Sequence, residues 1–174
     1  SNQTISEQLE VVLVDTTGMP MSTQNSLVYP VKHIRTVKGT LPGRARYQGL
    51  VETSARNVAF LEDHCYPESA WAESLVQRHQ EPWAAVGYVF KNGSPDTYVY
   101  RSALLAEYGH WLFPYIDGPT TRLPGCNVSF KREALEGFGE ELPDLLEMDY
   151  NLHQRLFFLF PGFCRKLTNH QAHL

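Results

Sequence analysis

The chain has 174 residues, of which 43% are hydrophobic and 12% aromatic, enough for one domain with a sizeable core and too short for a second full one. Its formal net charge of -4 and sequence pI near 5.9 leave no electrostatic footprint for nucleic acid or an anionic membrane surface. Cys65, Cys126 and Cys164 are odd in number and widely spaced, which argues against a disulfide framework, fits a reducing cytoplasmic compartment and lacks the paired spacing of a zinc site.

In chain order, Leu9 to Asp15 (LEVVLVD) reads as a buried strand and the TTGMP that follows as its turn. Val28 to Val37 offers a weaker strand interrupted by Pro30. Pro42 to Ala55 (PGRARYQGLVETSA) predicts a helix, with its proline near the first turn where a missing donor costs little. Val58, Ala59, Phe60 and Leu61 form a short apolar run, the pattern of a strand covered on both faces. Glu62, Asp63 and His64 stand at its carboxyl end, where ligands bind in open α/β sheets. Residues two apart on an extended chain point the same way, so Glu62 and His64 can share one face. A carboxylate and an imidazole together can hold a divalent cation, with Asp63 turned toward the backbone or a ligand. A polar strand end meeting solvent has the same letters.

Farther on, Ser69 to Gln80 carries apolar Ala70, Trp71, Leu75 and Val76 and stops at Pro82, which predicts an amphipathic helix. Trp83 to Phe90 predicts a strand, KNGSPD a turn and Tyr98 to Tyr108 a helix. In Leu123 to Arg132 (LPGCNVSFKR), Gly125 allows close backbone approach to a ligand, Asn127 offers a donor and an acceptor, and Lys131 and Arg132 add positive charge. The same stretch also reads as a turn entering a strand. Leu145, Met148, Leu152, Leu156 and Leu159 recur at three and four residues, predicting one helix over Leu145 to Phe160 with a single buried stripe. Asp149 and His153, four apart beside that stripe, fit either an intrahelical ion pair or a carboxylate held at a cleft as a general base. His170 and His173, three apart, face opposite sides of a strand. The longest apolar run, Leu156 to Phe160, is far below the ~20 residues that span a bilayer. Neither terminus carries the pattern of a secretory signal. The alternation of strands and helices predicts an α/β sandwich with a largely parallel sheet.

In this order, these segments resemble the family 2 glycosyltransferases, whose nucleotide-diphospho-sugar domain has the GT-A fold, over about Leu9 to Leu174. LEVVLVD resembles the family's second strand, GRARYQGL its arginine and glycine helix, and FLEDH its metal-binding acidic motif. LPGCNVSF resembles its acceptor-side segment, and MDYNLHQRL the segment whose acidic residue is the catalytic base. The resemblance implies one GT-A-like domain over residues 1–174, a mostly parallel sheet flanked by helices, lacking the family's first strand and shortened at both ends.

Residue by residue, the resemblance puts Glu62 and His64 at the two liganding positions of the acidic motif, with Asp63 between them. His173 closes the metal site, with His170 as the second choice. Asp15, Arg44, Glu62 and Asp63 fall on the donor side, and Gly125 and Asn127 on the acceptor side. Asp149 matches the base; Met148 stands where a second acid often precedes it, and Glu147 is a less favoured substitute.

The implied reaction is an inverting transfer of a sugar from a nucleotide-diphospho-sugar donor to a hydroxyl acceptor, glycan, lipid or other. Mn²⁺ or Mg²⁺ would assist the leaving diphosphate, and an imidazole ligand tilts the site toward Mn²⁺. A noncatalytic sugar-nucleotide or glycan binding domain of the same fold is the second reading, and a metal-dependent hydrolase built on Glu62, His64 and a terminal histidine the third. The expected setting is cytoplasmic, with membrane association through segments outside this chain. An uncovered sheet edge also makes a homodimer an expectation.

Overall fold

The computed structural model describes residues 3–19, 30–93, 97–112 and 117–160, together with the backbone of 164–173. Strand β1 (Val11–Asp15) pairs in parallel with β2 (Val31–Arg35) as a sheet of two strands, Asp15 opposite Arg35. Helix α1 (Pro42–Val51) follows, with Pro42 in the first turn after an extended Leu41. Then come β3 (Asn57–Leu61), β4 (Tyr66–Pro67), α2 (Trp71–Arg78), β5 (Ala85–Lys91) and α3 (Tyr98–Tyr108). The remainder is β6 (Gly118–Pro119), β7 (Asn127–Lys131), α4 (Arg132–Glu136), α5 (Leu142–Glu147), α6 (Asp149–Leu159) and β8 (Cys164–His173).

The larger sheet runs β3-β7-β5-β8-β4, with β6 also paired to β8. Every residue of β5 from Ala85 to Phe90 is buried, as the unbroken apolar run demands of a strand flanked on both edges and covered on both faces. The expectation of a mostly parallel sheet is not met. Among the described strand pairs β1–β2 and β5–β8 are parallel, whereas β3–β7, β5–β7, β4–β8 and β6–β8 are antiparallel. The cause is β7, which inserts between β3 and β5, so that strands joined by a helical crossover are not neighbours. The result is a mixed α/β domain.

One core cluster packs α1, α5 and α6 against the sheet through Leu50, Val58, Phe130, Leu146, Leu152 and Leu156. A second, around Trp71, Leu75 and Tyr88, lies under α2, and a third joins Cys65, Phe90 and Cys126. The predicted single helix over Leu145 to Phe160 is instead two, broken at Met148 (φ -114°, ψ 75°). The stripe breaks with it: Leu145, Leu152 and Leu156 are buried, while Met148 and Leu159 are exposed. Rotation at Met148 ends the shared 3.6-residue phase on which the stripe depended.

Candidate functional site

The β3–β7 ladder extends one hydrogen bond past the strand, the Glu62 N–H donating to the Cys126 carbonyl at 3.2 Å. The Cys65 N–H then donates back to the Glu62 carbonyl at 3.0 Å, so the three polar groups ride on a tight turn rather than on extended chain. The turn still brings Glu62 and His64 together, Oε2 to Nε2 3.7 Å. Asp63 is fully exposed, with Oδ1 3.6 Å from His64 Nδ1. His64 Nε2 also lies 3.3 Å from the Tyr108 hydroxyl at the end of α3. Burial above all, with nearby Cys126 and carboxylates, pushes the Tyr108 phenol up, so it stays a neutral hydroxyl. Behind the turn Cys65 and Cys126 are buried free thiols in one cluster with Phe90.

The break at Met148 places Asp149 in the first turn of α6, where unsatisfied N–H groups and the helix dipole favour a negative charge. Arg46 joins this carboxylate to the turn. Its Nη1 donates to Asp149 Oδ1 at 2.9 Å and to the Leu146 carbonyl at 3.1 Å, and its Nη2 to Glu62 Oε1 at 3.2 Å and the Gly125 carbonyl at 3.3 Å. Only 16% of the Arg46 side chain is exposed, against 36% of Asp149 and 43% of Glu62, so water is excluded mainly from the Arg46 side of these bonds. Burial raises the Asp149 carboxyl above its ordinary range, opposed by Arg46 and reinforced by the Glu62 and Glu147 charges. A carboxylate with raised proton affinity, still reachable from solvent, has the chemistry of a general base.

Gly125 makes the close approach its residue type allows, but toward protein: a Cβ there would sit 1.7 Å from Asp149 Oδ2. Asn127 is buried, its Oδ1 accepting the Trp71 indole N–H at 3.0 Å, and so ties α2 to β7. Arg44 points outward and pairs with exposed Asp144 at 3.0 Å. Asp15 closes the turn after β1, its Oδ1 accepting the Thr17 N–H at 2.8 Å and hydroxyl at 2.6 Å; these bonds hold its carboxyl low. The backbone of His173 pairs with Tyr66, two residues beyond His64, but the side chains of His170 and His173 lie outside the described residues.

His153 packs in the core, stacked on Phe130 at 6.1 Å between ring centroids. Its ring is kept neutral, its pKa pushed down to about 4 by burial and then by the charges of Arg122 and Arg46. The structure thus brings together Glu62, His64 and, through Arg46, Asp149; Asp15, Arg44 and Asn127 serve other contacts. Arg46 was missed by the reading of the sequence, yet a signal existed. Gly43, Arg46 and Leu50 fall at helical spacing on the inward face of α1, whereas Arg44 does not.

The domain is a mixed α/β one in which an acid and histidine turn is joined through Arg46 to a helix-borne carboxylate. Glycosyl transferase family 2 matches residues 2–139, and the chain belongs to that family. The match ends before Asp149. Among solved structures, the crystal structure of A197 from STIV is similar, with a TM-score of 0.49 and 13% identity over 83% of this chain and 73% of that one. No curated protein matches the chain. Family membership implies a sugar donor and an acceptor. Among the described residues no helix is long and apolar enough to cross a membrane.

Divalent metals are often used in this family. Glu62 Oε2 and His64 Nε2, 3.7 Å apart, are near the spacing of about 3 Å that adjacent ligands take around an ion with bonds of 2.0–2.3 Å. Two donors therefore fit. Among the described residues no group of three or more His, Cys, Asp or Glu is arranged to hold an ion, so further ligands would come from the substrate or water.

Proposed function

We propose that this domain moves a sugar from a nucleotide-diphospho-sugar to an acceptor hydroxyl with inversion at the anomeric carbon, and that Asp149 is the base. The observation that carries this reading is the single guanidinium linking Asp149 to the Glu62 turn. It couples a proton-accepting carboxylate to the position the family uses for the donor diphosphate. As the acceptor oxygen attacks the anomeric carbon, its proton passes to Asp149 and the bond from that carbon to the diphosphate oxygen breaks. Arg46 orients the base, and its charge keeps Asp149 deprotonated over a wider pH range than burial alone would allow. Glu62 and His64 would hold Mn²⁺ or Mg²⁺, which when bound neutralises charge on the departing diphosphate.

One observation favours a noncatalytic binding domain as the second reading: in this arrangement Arg46 already satisfies both acids. Calorimetric titration with nucleotide diphosphates and sugar nucleotides, with and without Mn²⁺, alongside a turnover assay, separates the two. Transfer expects metal-dependent binding of one nucleotide that Glu62→Ala removes, and turnover that Asp149→Asn lowers by roughly 10²–10⁴-fold while donor binding persists. Binding with no turnover in the unsubstituted chain would leave the second reading, and no binding of any nucleotide would sink transfer and leave only glycan binding.

A further inference from the structure

We propose that Arg122, held between Trp111 and Tyr150 beside the first turn of α6, recognises an anionic group, carboxylate or phosphate, on the acceptor. The guanidinium carbon of Arg122 lies 5.4 Å from the Trp111 ring centroid and 6.0 Å from that of Tyr150. Aromatic faces fix the plane of a guanidinium while leaving its five N–H donors unspent. Arg44, Arg46, Arg132 and Arg155 are each ion-paired, whereas Arg122 has no carboxylate within ion-pair distance among the described residues. Its backbone is pinned as well, the N–H donating to the Thr120 hydroxyl at 3.3 Å and the carbonyl accepting from it at 3.1 Å. An exposed, oriented and unneutralised guanidinium is suited to bidentate binding of a carboxylate or phosphate.

Its position ties it to the chemistry. Tyr150 follows Asp149 in the first turn of α6, and Arg122 lies three residues before Gly125, which touches the Asp149 carboxylate. The Arg122 charge is also felt at His153, one turn along α6 from Asp149. An anion bound there would stand beside the base, with the exposed Tyr150 ring face beside the pyranose that carries it. The word acceptor rests on the transferase reading above; the anion site itself does not.

Equilibrium binding of glucose, glucuronate, glucose 6-phosphate and inorganic phosphate to the unsubstituted chain, Arg122→Gln and Arg122→Lys tests this without turnover. Glucuronate, glucose 6-phosphate or both should bind about tenfold or more tightly than glucose, the scale of one charge-assisted contact. Arg122→Gln should abolish that preference with the melting temperature unchanged, and Arg122→Lys should retain part of it. The two sugar acids distinguish carboxylate from phosphate, and inorganic phosphate bound as tightly as glucose 6-phosphate would overturn the acceptor sugar as the ligand. Equal binding of glucose and both sugar acids, or a preference that survives Arg122→Gln, would overturn the proposal. An Arg122-dependent preference in a chain that neither binds nor turns over sugar nucleotides would retain the anion site and remove the transferase reading.

Discussion

At the residue scale the site turns on one half-buried cation between two carboxylates. Arg46 lowers the proton affinity of Asp149 while burial raises it, and burial is the larger effect. A base must be deprotonated to act, so turnover should rise with pH through a midpoint above the ordinary carboxylate value of 3.8. Replacing Arg46 with Gln removes the opposing charge, and the midpoint should move to still higher pH. A pH–rate profile of the two proteins checks this; a midpoint that stays put or falls would show that Arg46 does not tune Asp149. The exposed Arg44–Asp144 pair is a contrast within the same helix. Both of its side chains are more than half exposed, and such pairs contribute roughly 0–1 kcal/mol, so Arg44→Ala should leave thermal stability nearly unchanged.

At the element scale, the position of Arg46 depends on how closely α1 meets α5. A Cβ on Gly43 would lie 2.2 Å from the Glu147 backbone nitrogen, and the Gly43 N–H donates to Glu147 Oε2 at 2.6 Å. Gly43→Ala should therefore push the two helices apart and cost about 1–3 kcal/mol as overpacking, read as a lower denaturation midpoint. Because α1 carries Arg46 and α5 ends at Met148, the same substitution should weaken the base more than an unrelated destabilisation of equal size. The break at Met148 matters as much as the contact. Had α5 and α6 formed one helix, Asp149 would sit mid-helix, without the unsatisfied N–H groups and dipole of a first turn.

For the whole molecule, two histidines buried against β7 set the acid limit of the fold. His79, 2.8 Å from the Ser129 hydroxyl, and His153, stacked on Phe130, are both held neutral with pKa values pushed down to about 4, burial being the main cause in each. In the unfolded chain a histidine takes up its proton near 6.5. Between about 6.5 and about 4 the unfolded state thus binds more protons, and stability must fall as pH falls through that window. Thermal melts at steps across it should show a steady loss, reduced in His153→Gln; a flat profile would mean that the imidazoles are not desolvated.

Much of the local structure was legible in the sequence because local pattern reports burial. Although β3 lies at the sheet edge with Ala59 and Leu61 exposed rather than covered on both faces, and Glu62 to His64 turn rather than extend, the strands at Val58 to Leu61 and in β5 and the bounds of α3 followed from periodicity and residue type alone. So did the candidacy of Asp149 as a base. What periodicity does not encode is which segments meet. The antiparallel insertion of β7, the break at Met148, the burial of Asn127 against Trp71 and the joining of Arg46 to both Glu62 and Asp149 were decided only by the tertiary structure. Each depends on contacts made across long stretches of chain, where backbone hydrogen bonds and close packing select one arrangement among several that share the same local pattern.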